Sequence, residues 1–142
     1  MVELDHSYTN DKPIDHNWET ILDLEKLVSC VEGGSVTEAT SAESVKAQIK
    51  VKMGAMSMTF KGTVAVLEQD PDARRAVLQV KSREAGGQGH ANADVTFELS
   101  DGGGKIHTAA QITGKAASMG EGVVQNVLDA LIDSFTENLA AL

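Results

Sequence analysis

SMGEGVVQNVLDALIDSFTENLAAL, residues 118–142, decides the architecture. At helical spacing Val124, Val127, Leu128, Leu131, Ile132, Phe135 and Leu139 recur every three or four residues and make one broad apolar face. Gln125, Asn126, Asp129, Asp133, Thr136 and Glu137 fall on the other side. Ser118 with Glu121 three residues on predicts a capping box. Such a helix is about 35 Å long, at roughly 1.5 Å per residue. A face that long needs a large apolar surface to lie on.

The rest of the chain supplies one. Val2 to Thr9 alternates as a first strand. Asn10 or Asp11 with Pro13 predicts the start of a helix that buries Trp18, Ile21 and Leu22. A second short helix is expected from Leu24 to Ser29, ended by Gly33-Gly34. From Ser35 to Ala117 everything reads as strands. Val45, Ala47, Ile49, Val51 and Met53 alternate with lysines and glutamine, and a Gly54-Ala55 turn follows. Met56, Met58, Phe60, Gly62, Val64 and Val66 then share a face. Asp70-Pro71-Asp72 is a turn in which proline presets φ. Ala76, Leu78 and Val80, then Ala91, Ala93, Val95, Phe97 and Leu99, then Ile106, Thr108, Ala110 and Ile112 complete the inward set, separated by the glycine-rich turns at 86–87 and 101–104. Short turns make the strands antiparallel, and half-apolar alternation buries one face. The expected fold is α+β, one domain over residues 1–142. A curved antiparallel sheet of about six to seven strands wraps a long C-terminal helix, with two short helices after the first strand.

Composition narrows the function. The chain has 142 residues, one cysteine (Cys30) and a formal net charge of -9. A single cysteine forms no internal disulfide, which suits a reducing compartment. The acidity argues against nucleic acid or an anionic membrane surface as the main partner. No segment resembles a leader or a membrane span, so a cytoplasmic chain is expected.

Catalytic signals are poor. His6, His16, His90 and His107 lack metal-ligand spacing, and His6 sits on an apolar strand face as a core residue would. The stretches at 86–89 and 102–105 lack a phosphate-loop pattern and lie between strands, as hairpin turns do. Ser82, Glu84 and Thr108 are the obvious inward polar groups. Small side chains on the inward face leave the space beneath the helix hard to fill. Two readings stand at this point, a filled core and a cavity. If it is a cavity, Met56, Met58, Phe60, Leu78, Val80, Val95, Phe97 and Ile112 form its floor. Val124, Val127, Leu128, Leu131 and Phe135 form its lid, and Gly62, Ala91, Ala93 and Ala110 supply volume.

The order of elements resembles the helix-grip (START-like, SRPBCC) fold. Pro13-Ile14-Asp15-His16-Asn17-Trp18, Leu22-Asp23, Leu27 and Cys30-Val31-Glu32-Gly33 resemble the opening of the CoxG proteins associated with carbon monoxide dehydrogenase. Phe60-Lys61-Gly62-Thr63-Val64, Thr113-Gly114-Lys115-Ala116, Met119-Gly120 and Phe135-Thr136-Glu137-Asn138-Leu139 are similar to that family's later blocks. Glu32 stands where the family usually has proline. Many members continue into a membrane-attaching tail beyond the point where this sequence stops, at Leu142. The resemblance implies a non-catalytic accessory protein of a molybdenum carbon monoxide dehydrogenase, held at the inner face of the cell membrane through such a tail. Combined with a cavity, it suggests an isoprenoid quinone such as menaquinone as bound ligand, its tail shielded and its headgroup presented to the dehydrogenase. The alternatives are a polyketide cyclase-like enzyme of the same superfamily and a protein-protein adapter with a filled core.

Overall fold

The computed structural model describes residues 1–53 and 55–142. Seven strands form one sheet: β1 (Val2–Thr9), β2 (Gly34–Ser41), β3 (Ser44–Met53), β4 (Met56–Asp70), β5 (Arg75–Glu84), β6 (His90–Ser100) and β7 (Gly103–Ile112). Helices α1 (Ile14–Leu22) and α2 (Leu24–Ser29) follow β1, and α3 (Glu121–Ala140) ends the fold after a single 3-10 turn at Ala117–Met119. The strand order is β1-β7-β6-β5-β4-β3-β2, antiparallel at every step. The expected α+β helix-grip fold is therefore present. Short turns join the strands in succession from β2 to β7, which forces those neighbours to run antiparallel. The first strand closes against the last, Val2 beside Ala110 and Tyr8 beside Gly104.

Several local expectations change. Strand structure ends at Ile112, not Ala117, because Gly114 takes φ +82° and the 3-10 turn follows. No capping box forms: α3 begins after Gly120, and the Ser118 hydroxyl donates to Lys115 O instead. The start of α1 is not capped by Asn10 or Asp11. Pro13 occupies the N-cap position and the Ile14 N–H donates to Asp101 Oδ1 at 2.8 Å, from the β6–β7 turn. A cap from a residue so distant in sequence leaves no local signature. The Gly54-Ala55 turn includes Gly54, which lies outside the described residues. The turn after Asp70 is as expected, with Asp70 Oδ1 accepting from the N–H groups of Asp72 and Ala73. A bulge between Val66 and Glu68 turns Leu67 outward, where it is exposed.

Where α3 meets the sheet decides what lies beneath it. Its closest strand neighbours are β1 at one edge and β3 near the other. Its C-terminal half buries Phe135 and Leu139 in a cluster with Trp18, Ile21, Leu78 and Phe97. The Phe97 and Phe135 rings meet edge to face, 6.5 Å between centroids. Its first turns bury Val124 in a second cluster with Val2, Leu4, Met58 and Phe60. Val127, Leu128 and Ile132 pack against this second cluster but stay half-buried, and Leu131, also half-buried, joins neither cluster. The helix is pinned at both ends and stands off the sheet in the middle.

Candidate functional site

That stand-off leaves a cavity of about 270 Å³, partly open to solvent. Strand alternation aims Ile49, Val64, Leu78, Val80, Ala93, Val95 and Ala110 into it from below, and Val127, Leu128, Leu131 and Phe135 close it from above. Val80, Ala91, Ala93, Val95 and Ile112 are inward-facing apolar residues yet only half-buried. Val95 packs on one side against the cluster around Phe97, and Ala91 and Ile112 against the one around Val124, yet each keeps surface on the cavity, so the space beneath the helix is not completely filled.

Of the residues assigned to floor, lid and volume, Phe60, Gly62, Leu78, Val80, Ala91, Ala93, Val95, Phe97, Ala110, Ile112, Val124, Val127, Leu128, Leu131 and Phe135 all line the cavity. Met56 and Met58 do not. They sit at the β3–β4 hairpin end in the cluster around Val124, although their cross-strand neighbours Met53 and Val51 do line the cavity. Gly62 has a different role from the one expected. A Cβ there would lie 1.8 Å from Lys81 O, so the glycine permits β4 and β5 to approach and is not chiefly a source of volume. Residues of α2 (Leu27, Val28) and β3 (Ile49, Val51, Met53) also line the wall. The β3 alternation showed which face they share; how far the wall extends depends on where α3 lies.

Polar groups at the cavity are few. Gln48, Thr63 and Asn92 border it, but strand alternation turns their side chains to the outer face. The Ser82 hydroxyl donates to Ala91 O. Glu84, expected inward, instead accepts from the N–H groups of Gly86 and Gln88 and closes the β5–β6 turn. Thr108 is 5 % exposed and faces the cavity. Among the described residues no titratable side chain lines it.

Beside the cavity, at the β1–α3 seam, His6 meets Asp129 and Asp133, with ligand-type atoms within 4.8 Å of one another. His6 Nε2 lies 2.7 Å from Asp129 Oδ1 and 3.4 Å from Asp133 Oδ1. A carboxylate only accepts, so Nε2 carries the ring proton. Nδ1 is buried with no partner, so His6 is a core histidine satisfied on one side only. Binding a metal ion through Nε2 would shift the proton to Nδ1 and bury an unpaired donor, at a cost of about 1–3 kcal/mol. The arrangement is a clasp between strand and helix. On the outer face His107 lies between Glu3 and Asp5, and the hydrogen bond to Asp5 is the main cause that raises its pKa above the ordinary 6.5.

A model of the carbon monoxide dehydrogenase CoxG family matches residues 9–142. The chain belongs to the CoxG family. Among curated proteins no sequence matches it. A conserved protein from Geobacillus kaustophilus is similar in structure at 20% identity and TM-score 0.82, over 99% of this chain and 93% of that one. The Zhui aromatase/cyclase from Streptomyces sp. R1128 superposes with TM-score 0.62 at 11% identity, covering 99% and 92% of the two chains. The ginseng major latex-like protein 151 from Panax ginseng does so with TM-score 0.64 at 8% identity, covering 99% and 95%. At such identities the likeness is one of fold. CoxG membership accounts for the ordered blocks along the sequence, and the structure gives two of them a physical role. Asn17 Nδ2 donates to Ser100 O at 3.0 Å, tying α1 to the β6–β7 turn. Asn138 Nδ2 donates to Cys30 O at 2.9 Å, tying α3 to the end of α2. No described helix of this CoxG-family chain is long and apolar enough to cross a membrane.

Proposed function

We propose that this CoxG-family chain is a non-catalytic carrier. It holds an isoprenoid quinone such as menaquinone against the concave sheet and links a molybdenum carbon monoxide dehydrogenase to the membrane and its respiratory chain. One observation carries the reading: the cavity is apolar and lacks any titratable lining residue among those described. General acid–base and nucleophilic chemistry both need a proton-transferring or activated side chain at the bound molecule. This wall offers none, which favours binding over the cyclase-like alternative. The apolar surface of the quinone that the cavity covers recovers about 25 cal/mol per Å² that exposure to water would cost. The cavity is under twice the roughly 150 Å³ that admits benzene, so it encloses on the order of ten non-hydrogen atoms. It therefore takes one end of a polyprenyl quinone and leaves the remainder outside.

Native mass spectrometry of the purified protein, with organic extraction of whatever accompanies it, tests the reading. A co-purifying prenyl quinone, or a rise in melting temperature on adding menaquinone, is expected. A protein that emerges empty and ignores added menaquinone sinks it.

A further inference from the structure

Resting on the carrier reading, we infer that the quinone enters ring first and that the Thr108 hydroxyl is its polar anchor. Thr108 lies on β7, opposite Leu4 of β1 and Val95 of β6, neither of which has a side-chain acceptor. It is 5 % exposed, and its side chain faces the cavity between the inward residues Ile106 and Ala110. Among the described residues nothing hydrogen-bonds to its hydroxyl. The other inward hydroxyl of the cavity, Ser82, is already committed to Ala91 O. Thr108 is thus the free polar group in an otherwise apolar chamber.

Buried hydroxyls are normally paired, because leaving one unpaired forfeits its water hydrogen bonds. A ligand made only of hydrocarbon would seal Thr108 away from water and leave it so. A ring carbonyl would accept its proton. Volume points the same way: on the order of ten non-hydrogen atoms match a bicyclic quinone ring, and a long polyprenyl tail exceeds them. The tail then trails out of the opening, the reverse of the orientation expected from sequence. A threonine hydroxyl both donates and accepts. It can donate to a quinone carbonyl and, after rotating, accept from a quinol hydroxyl. One residue therefore holds both redox forms in the same pose, as a carrier that exchanges one for the other requires. A fixed donor such as Lys or Arg would favour the oxidised form.

The test is equilibrium dialysis of menadione, which has the naphthoquinone ring without a tail, against methylnaphthalene, which has the ring without oxygens. Thr108→Val preserves shape and removes the hydroxyl; Thr108→Ser keeps it. Menadione should bind Thr108→Val about fivefold more weakly than wild type, the equivalent of one ordinary hydrogen bond. Thr108→Ser should retain most of the affinity, and methylnaphthalene should not distinguish wild type from Thr108→Val. The melting temperature of ligand-free Thr108→Val should not fall, since the hydroxyl bonds to no other described group of the protein. Equal menadione affinity in wild type and Thr108→Val overturns the anchor, and so does equal weakening of both compounds. If neither compound binds wild type, the carrier reading itself fails.

Discussion

Nε2 of His6 on β1 stands 2.7 Å from Oδ1 of Asp129 on α3, joining the first strand to the last helix across 123 residues of sequence. The helix carries the cavity's lid, so this bond holds the lid to the sheet edge. Asp129→Ala leaves His6 with only the longer contact to Asp133. The carboxylate is 53 % exposed, which discounts the bond to about 1 kcal/mol. A melting temperature lower by about 2–4 °C is expected in a thermal scan; no change would mean that the helix is held by its apolar clusters alone.

Ala93 and Ala110 are cross-strand neighbours under the lid but differ in exposure. Both line the cavity, but Ala93 is half-buried whereas Ala110 is only 2 % exposed. Ala93→Phe should fill the cavity, abolish quinone binding and leave stability within about 1 kcal/mol of wild type. Ala110→Phe should cost about 1–3 kcal/mol through overpacking. Urea titration with parallel ligand assays separates them, and equal destabilisation by both would argue that the cavity closes in solution.

Gly62 is required by backbone contact. A Cβ 1.8 Å from Lys81 O and 2.6 Å from Ser82 Cα cannot be absorbed by a side-chain rotation, because both atoms belong to the backbone of β5. Gly62→Ala should cost more than about 2 kcal/mol or fail to give soluble protein, while Thr63→Ala, one position on and facing out, should stay within about 0.5 kcal/mol. Denaturant unfolding of the pair decides it.

His107, flanked by Asp5 and Glu3, titrates above its ordinary 6.5 in the folded chain. A folded pKa above the unfolded one means that the folded state binds the extra proton. The stabilisation is therefore complete below about pH 6.5 and is lost as pH rises through the folded value. The melting-temperature difference between wild type and His107→Gln should be larger at pH 6 than at pH 8. Because the group is exposed, salt should shrink it.

Much of this architecture is local and was legible residue by residue. Period-two alternation in Val45–Met53 and Ala91–Leu99 marked strands and their buried faces, because a side chain's face follows from its parity. The Asp70-Pro71 turn and the 24–29 helix came through for the same reason: their hydrogen bonds close within a few residues. Capping failed where the partner was remote. Ser118 looked like a cap by spacing yet bonds backward, while α1 borrows Asp101. Met56 and Met58 had the right parity but pack into the cluster around Val124 and do not line the cavity, because parity says which face a side chain takes and not what covers it there.

By itself, then, the sequence determined the order of elements, the face each strand buries, the apolar stripe of α3 and the CoxG membership that its ordered blocks carry. Those properties depend on spacing along the chain. Only the tertiary structure decided that α3 rests on β1 and β3 and stands off the centre, that about 270 Å³ stays open beneath it, and that Thr108 faces this space without a partner. These are distances between segments brought together only by the fold. They are set by where Val124 and Phe135 anchor the two ends of one rigid helix, and no local pattern encodes the gap between those anchors.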